Sequence, residues 1–194
     1  MNKSNQQLSH WWDESRQGNV AAFGQIHYEL YPAIYHYILK MMRDEDICQD
    51  ILQDLFIKLW ERKESLGPIY NLRVYFFKAA RSIAINYIKR DKGHISLTEE
   101  FEDTDIVFSQ EEIIVNGENN QEVNRLLFMA INALPKRQRE MIFLRYFDEW
   151  NYDQIAEITG INYQSVVNHV HRGITQLRTE LNDARQSKIC GMAV

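Results

Sequence analysis

Apolar residues recur along this chain at helical steps. From Gly160 to Leu181, in GINYQSVVNHVHRGITQLRTEL, they fall at Val166, Val170, Ile174, Leu177 and Leu181, which makes one stripe on an α-helix. DICQDILQDLFIKLWER sets Ile47, Ile51, Leu55 and Leu59 four apart, and its outer face carries Asp46, Gln49, Asp50, Gln53 and Asp54. FGQIHYELYPAIYHYILKMM has the same spacing and is interrupted only by Pro32. Gly67 and Pro68 in ESLGPIYN break one helix, and LRVYFFKAARSIAINYIKRDK begins the next. EVNRLLFMAINAL is amphipathic, and Pro135 in ALPKRQREMIFLRYF stands where a first helical turn tolerates proline. These patterns predict an all-α fold.

The polar face of the first stretch asks what it touches. It presents Gln164, Ser165, Asn168, His169 and Arg172, hydrogen-bonding side chains of moderate length with few carboxylates among them. The residues before it supply a frame. In NYDQIAEITG, Asn151 can cap a helix and Gln154 can reach back to it as a capping box. Gly160 can end that helix in the left-handed conformation, Ile161 can tuck between two helices, and Asn162 can cap the helix from Tyr163. Two helices joined by so short a turn fit a helix-turn-helix, whose second helix enters the DNA major groove. Gln164, Asn168 and Arg172 are residue types that pair with base edges or phosphates. A plain helical hairpin is the alternative, and the Gly-Ile-Asn turn with its polar face favours DNA.

Bulk charge alone gives no hint of nucleic acid, because the 194 residues carry a formal net charge of −5. Its distribution is more telling. Residues 1–93 sum to +2, residues 94–122 to −9 with no Lys or Arg, and residues 123–194 to +2. The middle piece, HISLTEEFEDTDIVFSQEEIIVNGENNQE, is an acidic linker between two small helical domains. A solvated spacer would explain its charge. Ile106, Val107, Phe108, Ile113 and Ile114 are odd in a pure spacer and point to docking. Ahead of the linker, residues 70–92 carry Arg73, Lys78, Arg81, Lys89, Arg90 and Lys92 against Asp91 alone, interleaved with Tyr70, Tyr75, Phe76, Phe77 and Tyr87. Basic residues among aromatics can hold a phosphate backbone and stack unpaired bases, although aromatics at helical spacing also build cores.

Other classes find little support. Cys48 and Cys190 are far apart, with neither a disulfide framework nor metal-ligand spacing, and fit a reducing cytoplasm. No apolar run approaches the length of a membrane span, and MNKSNQQLSHWWDESRQGN lacks the regions of a signal peptide. His169 and His171 are two apart and point in different directions on a helix. No catalytic or metal constellation emerges, so an enzyme, a cofactor, a metal and a small-molecule substrate are not expected.

Four of these segments, in this order, resemble the extracytoplasmic-function sigma factors, the small two-domain members of the bacterial sigma-70 family. QGNVAAFGQIHYELYPAIYHYI resembles the opening segment, with Gly18-Asn19 where Gly-Asp is usual. DICQDILQDLFIKLW resembles the segment that binds core polymerase, LRVYFFKAARSIAINYIKR the promoter-melting segment, and ALPKRQREMIFLRYFDEWNYDQIAEITGINYQSVVNHVHRGITQLR the fourth region. The resemblance covers residues 12–181 and implies three parts: 1–93 for core binding and −10 recognition and melting, 94–122 as linker, and 123–194 for −35 recognition.

The resemblance also implies roles. Asp50, Gln53 and Asp54 would meet the coiled coil of the largest subunit of core RNA polymerase. Arg73, Lys78, Arg81, Ser82, Asn86, Lys89 and Arg90 would bind and open the −10 DNA, with a flipped base near the loop 64–71. Tyr163, Gln164, Ser165, Asn168, His169 and Arg172 would read the −35 element. The linker would pass through the RNA exit region, mimicking the charge of RNA. Promoter DNA, core polymerase and an anti-sigma factor are the implied partners, in the cytoplasm. Gln49 stands where an acid is usual, Ser82 where asparagine is, Val167 where lysine is common, and Asn162 where serine is. A conventional dimeric helix-turn-helix regulator would instead place a dimerisation or ligand domain in the N-terminal half.

Overall fold

The computed structural model describes residues 5–91, 105–113 and 121–191, with side chains through Asp183. Among them are eight helices and no strand: α1 (Asn5–Arg16), α2 (Val20–Met42), α3 (Glu45–Arg62), α4 (Leu72–Asp91), α5 (Gln121–Ala133), α6 (Lys136–Tyr146), α7 (Tyr152–Thr159) and α8 (Tyr163–Gly191). They divide into two compact units. The first holds α1–α4; the second holds residues 105–113, α5, α6, α8 and the start of α7.

Local chemistry sets the ends of the helices in the first unit. Gly18 has φ +94 and turns the chain out of α1. The Asn19 side chain then accepts from Ala22 N at 3.1 Å and caps α2. Arg43, at φ 57, ends α2, and Asp44 caps α3 by accepting from Ile47 N at 3.0 Å. Asn71 does the same for α4 through Val74 N at 3.2 Å. Pro32 does not interrupt α2 as its sequence position predicts. It lies on the exposed side, and Ile26, Leu30, Ile34 and Ile38 bury the opposite side on either flank of it. Each such burial contributes roughly 1.5–3 kcal/mol, enough together to offset the roughly 3 kcal/mol an internal proline costs.

The core of this unit is aromatic. Trp12 of α1 meets the edge of Phe76 of α4 at 6.1 Å, Phe56 of α3 meets Phe76 at 5.6 Å, and Tyr37 of α2 stacks on Phe77 at 5.7 Å. Phe76 and Phe77 are therefore core side chains rather than platforms for bases. A second cluster lies along α2 and α3, where the His27 ring stands 4.5 Å from Phe56 and 5.0 Å from Tyr31.

In the second unit the middle of α6 is buried all round, since Arg139, Glu140, Met141, Ile142, Phe143 and Leu144 are all buried, although the helix begins with the polar run Lys136–Glu140. It packs along α8, where Val166, Val170 and Leu177 supply the buried stripe, with Ile174 and Leu181 half-buried. Gly173 sits at the closest approach. A β-carbon there would stand 3.2 Å from Ile142 Cγ1 and 3.6 Å from Gln138 Cβ.

Residues 105–113 are not helical, yet they are built into this unit. Ile106, Phe108 and Ile113 are buried, and Phe108 packs against both Phe143 (5.8 Å) and Phe147 (4.7 Å), which stack on each other at 5.9 Å. Asn132 of α5 clamps the backbone of Phe108 from both sides: its Oδ1 accepts from Phe108 N at 3.1 Å and its Nδ2 donates to Phe108 O at 3.2 Å. Arg139, almost fully buried in α6, donates to the Asp105 carboxylate and to Asn132 O. The docking that the apolar residues of the linker predicted is thus found on α5 and α6. Ile114 and the rest of the stretch 94–122, apart from 105–113, Gln121 and Glu122, lie outside the described residues.

Candidate nucleic-acid interface

The helix-turn-helix forms through the caps its sequence predicts. Gln154 N donates to Asn151 Oδ1 at 2.9 Å while Asn151 N donates to Gln154 Oε1 at 3.0 Å, a reciprocal capping box. Gly160 has φ +74, a left-handed value at which a side chain would be strained. Asn162 Oδ1 accepts from Ser165 N at 2.8 Å and starts α8. The Tyr152 and Tyr163 rings meet edge to face at 6.0 Å.

Every residue assigned to −35 reading lies in the first three turns of α8. Tyr163, Gln164, Asn168 and Arg172 are exposed, while Ser165 and His169 are half-buried. Two flanks can be told apart. Gln164 Nε2 donates to Asn168 Oδ1 at 3.2 Å, an amide pair one turn apart. His169 and Arg172, three residues apart, form the other flank beside α6. Burial lowers the His169 pKa first, and the positive charges of Arg137 and Arg172 lower it further.

In the first unit, the outer face of α3 and α4 meet at one open cleft of about 350 Å³. Asp50, Gln53, Asp54, Ile57 and Lys58 line one wall and Ile83, Asn86, Tyr87 and Arg90 the other. The structure therefore joins two residue sets that the sequence treats separately. Asp50, Gln53 and Asp54 are all exposed, and Asp54 pairs with Lys58 at 2.5 Å. On α4, Lys78, Ser82, Asn86 and Arg90 are exposed and Lys89 is half-buried. Arg73 is half-buried with its guanidinium 5.8 Å from the Phe77 ring. Arg81 stands apart, being only 3% exposed, with its charge inside the unit.

Two features escaped the sequence. Asn5 Nδ2 donates to Tyr70 O at 2.8 Å, so α1 braces the loop 64–71, and Tyr70 itself is 96% exposed. Arg137 of α6 acts on His169 of α8, which only a structure reveals. Among the described residues, no helix is long and apolar enough to cross a membrane.

Two helical units, with a capped helix-turn-helix in the second, define a class of DNA-reading proteins. Comparison with known proteins narrows it. Residues 27–93 match the model for sigma-70 region 2, and residues 124–177 match that for sigma-70 region 4. The chain is 25% identical to ECF RNA polymerase sigma factor SigW of Bacillus subtilis (strain 168), over 87% of this chain and 93% of that one. It is 26% identical to ECF RNA polymerase sigma factor SigM of the same organism, over 69% of this chain and 81% of that one. Its fold is that of CnrH solved with the cytosolic domain of CnrY (TM-score 0.61, 16% identity, 91% of this chain and 98% of that one). It is also that of the sigma factor RpoE of Bartonella quintana solved with the anti-sigma factor NepR (TM-score 0.58, 21% identity, 84% and 98%). The chain belongs to the sigma-70 family, as an RNA polymerase sigma factor of the extracytoplasmic-function type.

Proposed function

We propose that this sigma factor divides its work between its two units. Residues 1–93 bind core RNA polymerase and open the −10 DNA, and residues 123–194 read the −35 element. The α3–α4 cleft supports the proposal, because one surface holds both the acidic and amide residues Asp50, Gln53 and Asp54 and, on its other wall, Asn86 and Arg90. A polymerase helix seated on α3 would deliver the separating strands alongside α4. Asp50, Gln53 and Asp54 contact the polymerase. Lys78, Ser82, Asn86, Lys89 and Arg90 track the exposed strand by phosphate contact and hydrogen bonding. Arg73 and Arg81 support α4 from within, and the loop 64–71 receives the flipped base.

In the second unit Tyr163, Gln164, Ser165, Asn168, His169 and Arg172 face the −35 DNA. The acidic stretch 94–122 carries a charge like that of RNA through the RNA exit region. The sigma factor RpoE was solved with an anti-sigma factor, and an anti-sigma factor is the regulator we assign to this chain. The work takes place in the cytoplasm.

Co-elution of the purified chain with bacterial core RNA polymerase on size exclusion tests this reading. A stable complex that initiates from a defined set of promoters is expected. A chain that stays apart from core polymerase and elutes as a dimer would overturn it in favour of a conventional regulator.

A further inference from the structure

The strap over residues 105–113 is held more firmly than a spacer needs. It is folded on itself, with Ser109 N donating to Glu112 Oε2 at 2.8 Å and Ile113 N to Gln110 O at 3.2 Å. Its side chains Ile106, Phe108 and Ile113 are buried. At its head Asp105 binds the Arg139 guanidinium, whose side chain is only 8% exposed. Asn132 takes both backbone polar groups of Phe108, and it is itself fixed, since its Nδ2 also donates to Phe128 O at 3.1 Å within α5. A charged pair and a two-sided amide clamp on one short segment hold it in a single register.

This anchoring shortens the chain that joins the two units. Helix α4 ends at Asp91 and α5 begins at Gln121, so 29 residues, 92 to 120, separate the helices. A chain of that length spans at most roughly 96–104 Å. With Asp105 fixed to α6, the joining chain is 13 residues, 92 to 104, and spans at most roughly 43–47 Å. The −35 and −10 elements lie about 25 base pairs apart, roughly 85 Å along the duplex. A unit of about 90 residues has a radius of roughly 16 Å. The longer span covers the separation with length to spare. The shorter one covers it only with the help of the units' own size.

We propose that the strap, through the Asp105–Arg139 pair and the Asn132 clamp on Phe108, anchors the −35-reading unit to a short tether and so sets an upper limit on the promoter spacing this sigma factor accepts. This rests on the division of the −10 and −35 elements between the two units. Two sites read through one tether reinforce each other only while the tether can span them. A tether limits lengthening and not shortening, so the limit is one-sided. Asn132 and Arg139 then determine specificity for spacing, although neither belongs to α8.

The test uses holoenzyme assembled from the full chain and core polymerase. Labelled duplexes carry both elements of a promoter mapped from its own transcripts, with the spacer shortened or lengthened by up to three base pairs. Wild type is compared with two chains that each carry ten inserted Gly/Ser residues, one after residue 98, ahead of the strap, and one after residue 117, behind it. Each insertion adds roughly 33–36 Å of reach and leaves the strap residues untouched. On spacers lengthened by two or three base pairs, wild type should bind at least about 100-fold more weakly than on its best spacer. The insertion after 98 should recover at least about tenfold of that loss, at a cost of about two- to threefold on the best spacer. It should leave binding to shortened spacers at that same small cost. The insertion after 117 should behave as wild type throughout. If both insertions restore long spacers, the strap is not the anchor; if neither does, the tether is not the limit; a gain on shortened spacers as well marks general loosening. Each of these results overturns the proposal. If wild type binds equally well without either element, the division of reading between the units falls, and the spacing limit with it.

Discussion

Phe108→Ala separates a structural strap from a solvated spacer. The ring is 1% exposed and packs against Phe143 and Phe147, and the flanking Ile106 is also buried. Truncating a buried phenylalanine costs about 3–5 kcal/mol through lost transfer energy and the cavity left behind. A residue in a free linker would change stability by no more than about 0.5 kcal/mol. The two readings thus differ at least sixfold in predicted cost. Because the chain has two units, a global melt would mix their transitions. Native-state hydrogen exchange read on peptides of α5 and α6 isolates the second unit. At about 1.4 kcal/mol per decade, amides of α6 should exchange about two to nearly four decades faster, up to the limit set by the stability of the unit. Peptides of α2 and α3 should not change. An acceleration of α6 below about threefold, or roughly 0.6 kcal/mol, would refute the docked strap.

Three further outcomes follow from other sites. Replacing Asp50 and Asp54 together by lysine should abolish co-elution with core polymerase while circular dichroism stays unchanged, since both side chains are exposed; retained co-elution would remove α3 from the interface. Burial, and then the charge of Glu45, push the Cys48 thiol up to about 11. In a Cys190→Ser background, a thiol reagent at pH 7 should therefore label the native chain hardly at all and the urea-unfolded chain fully. Burial lowers the His27 pKa, so the unfolded chain binds the proton first, and stability is retained above about pH 6.5 and lost as pH falls through it. His27→Gln should shrink the drop in denaturation midpoint between pH 7.0 and 5.5, and an unchanged drop would locate the acid lability elsewhere.

The helices and their caps were legible because they depend on near neighbours in sequence. Asn151 with Gln154, Gly160 and Asn162 act within a few residues, and each does what its position predicts. Pro32 misled because tertiary burial on either side of it overrides a local penalty. The helix α1 gave only Leu8, Trp11 and Trp12 as apolar marks, too few for a period to show, and Trp12 earns its place by meeting Phe76 more than sixty residues away. The charge of Arg81 reads like that of Lys78 in the sequence, and only packing shows that one is buried and the other exposed. The strap was half legible. Its apolar residues announced docking, but that Asn132 and Arg139 receive it depends on contacts of long sequence separation.

Gly173 faces Ile142 so closely that a methyl group at 173 would stand 3.2 Å from Ile142 Cγ1, tighter than ordinary van der Waals contact. Their histories are therefore coupled: alanine at 173 asks the Ile142 side chain to give way by a few tenths of an ångström, a demand that valine at 142 relaxes and that α8 otherwise meets by riding away from α6. Such a shift would move Arg172 and His169 relative to Arg137 without touching any of the three. Promoter preference then drifts through a glycine buried against α6. A search for the determinants of specificity confined to the exposed face of α8 would miss it.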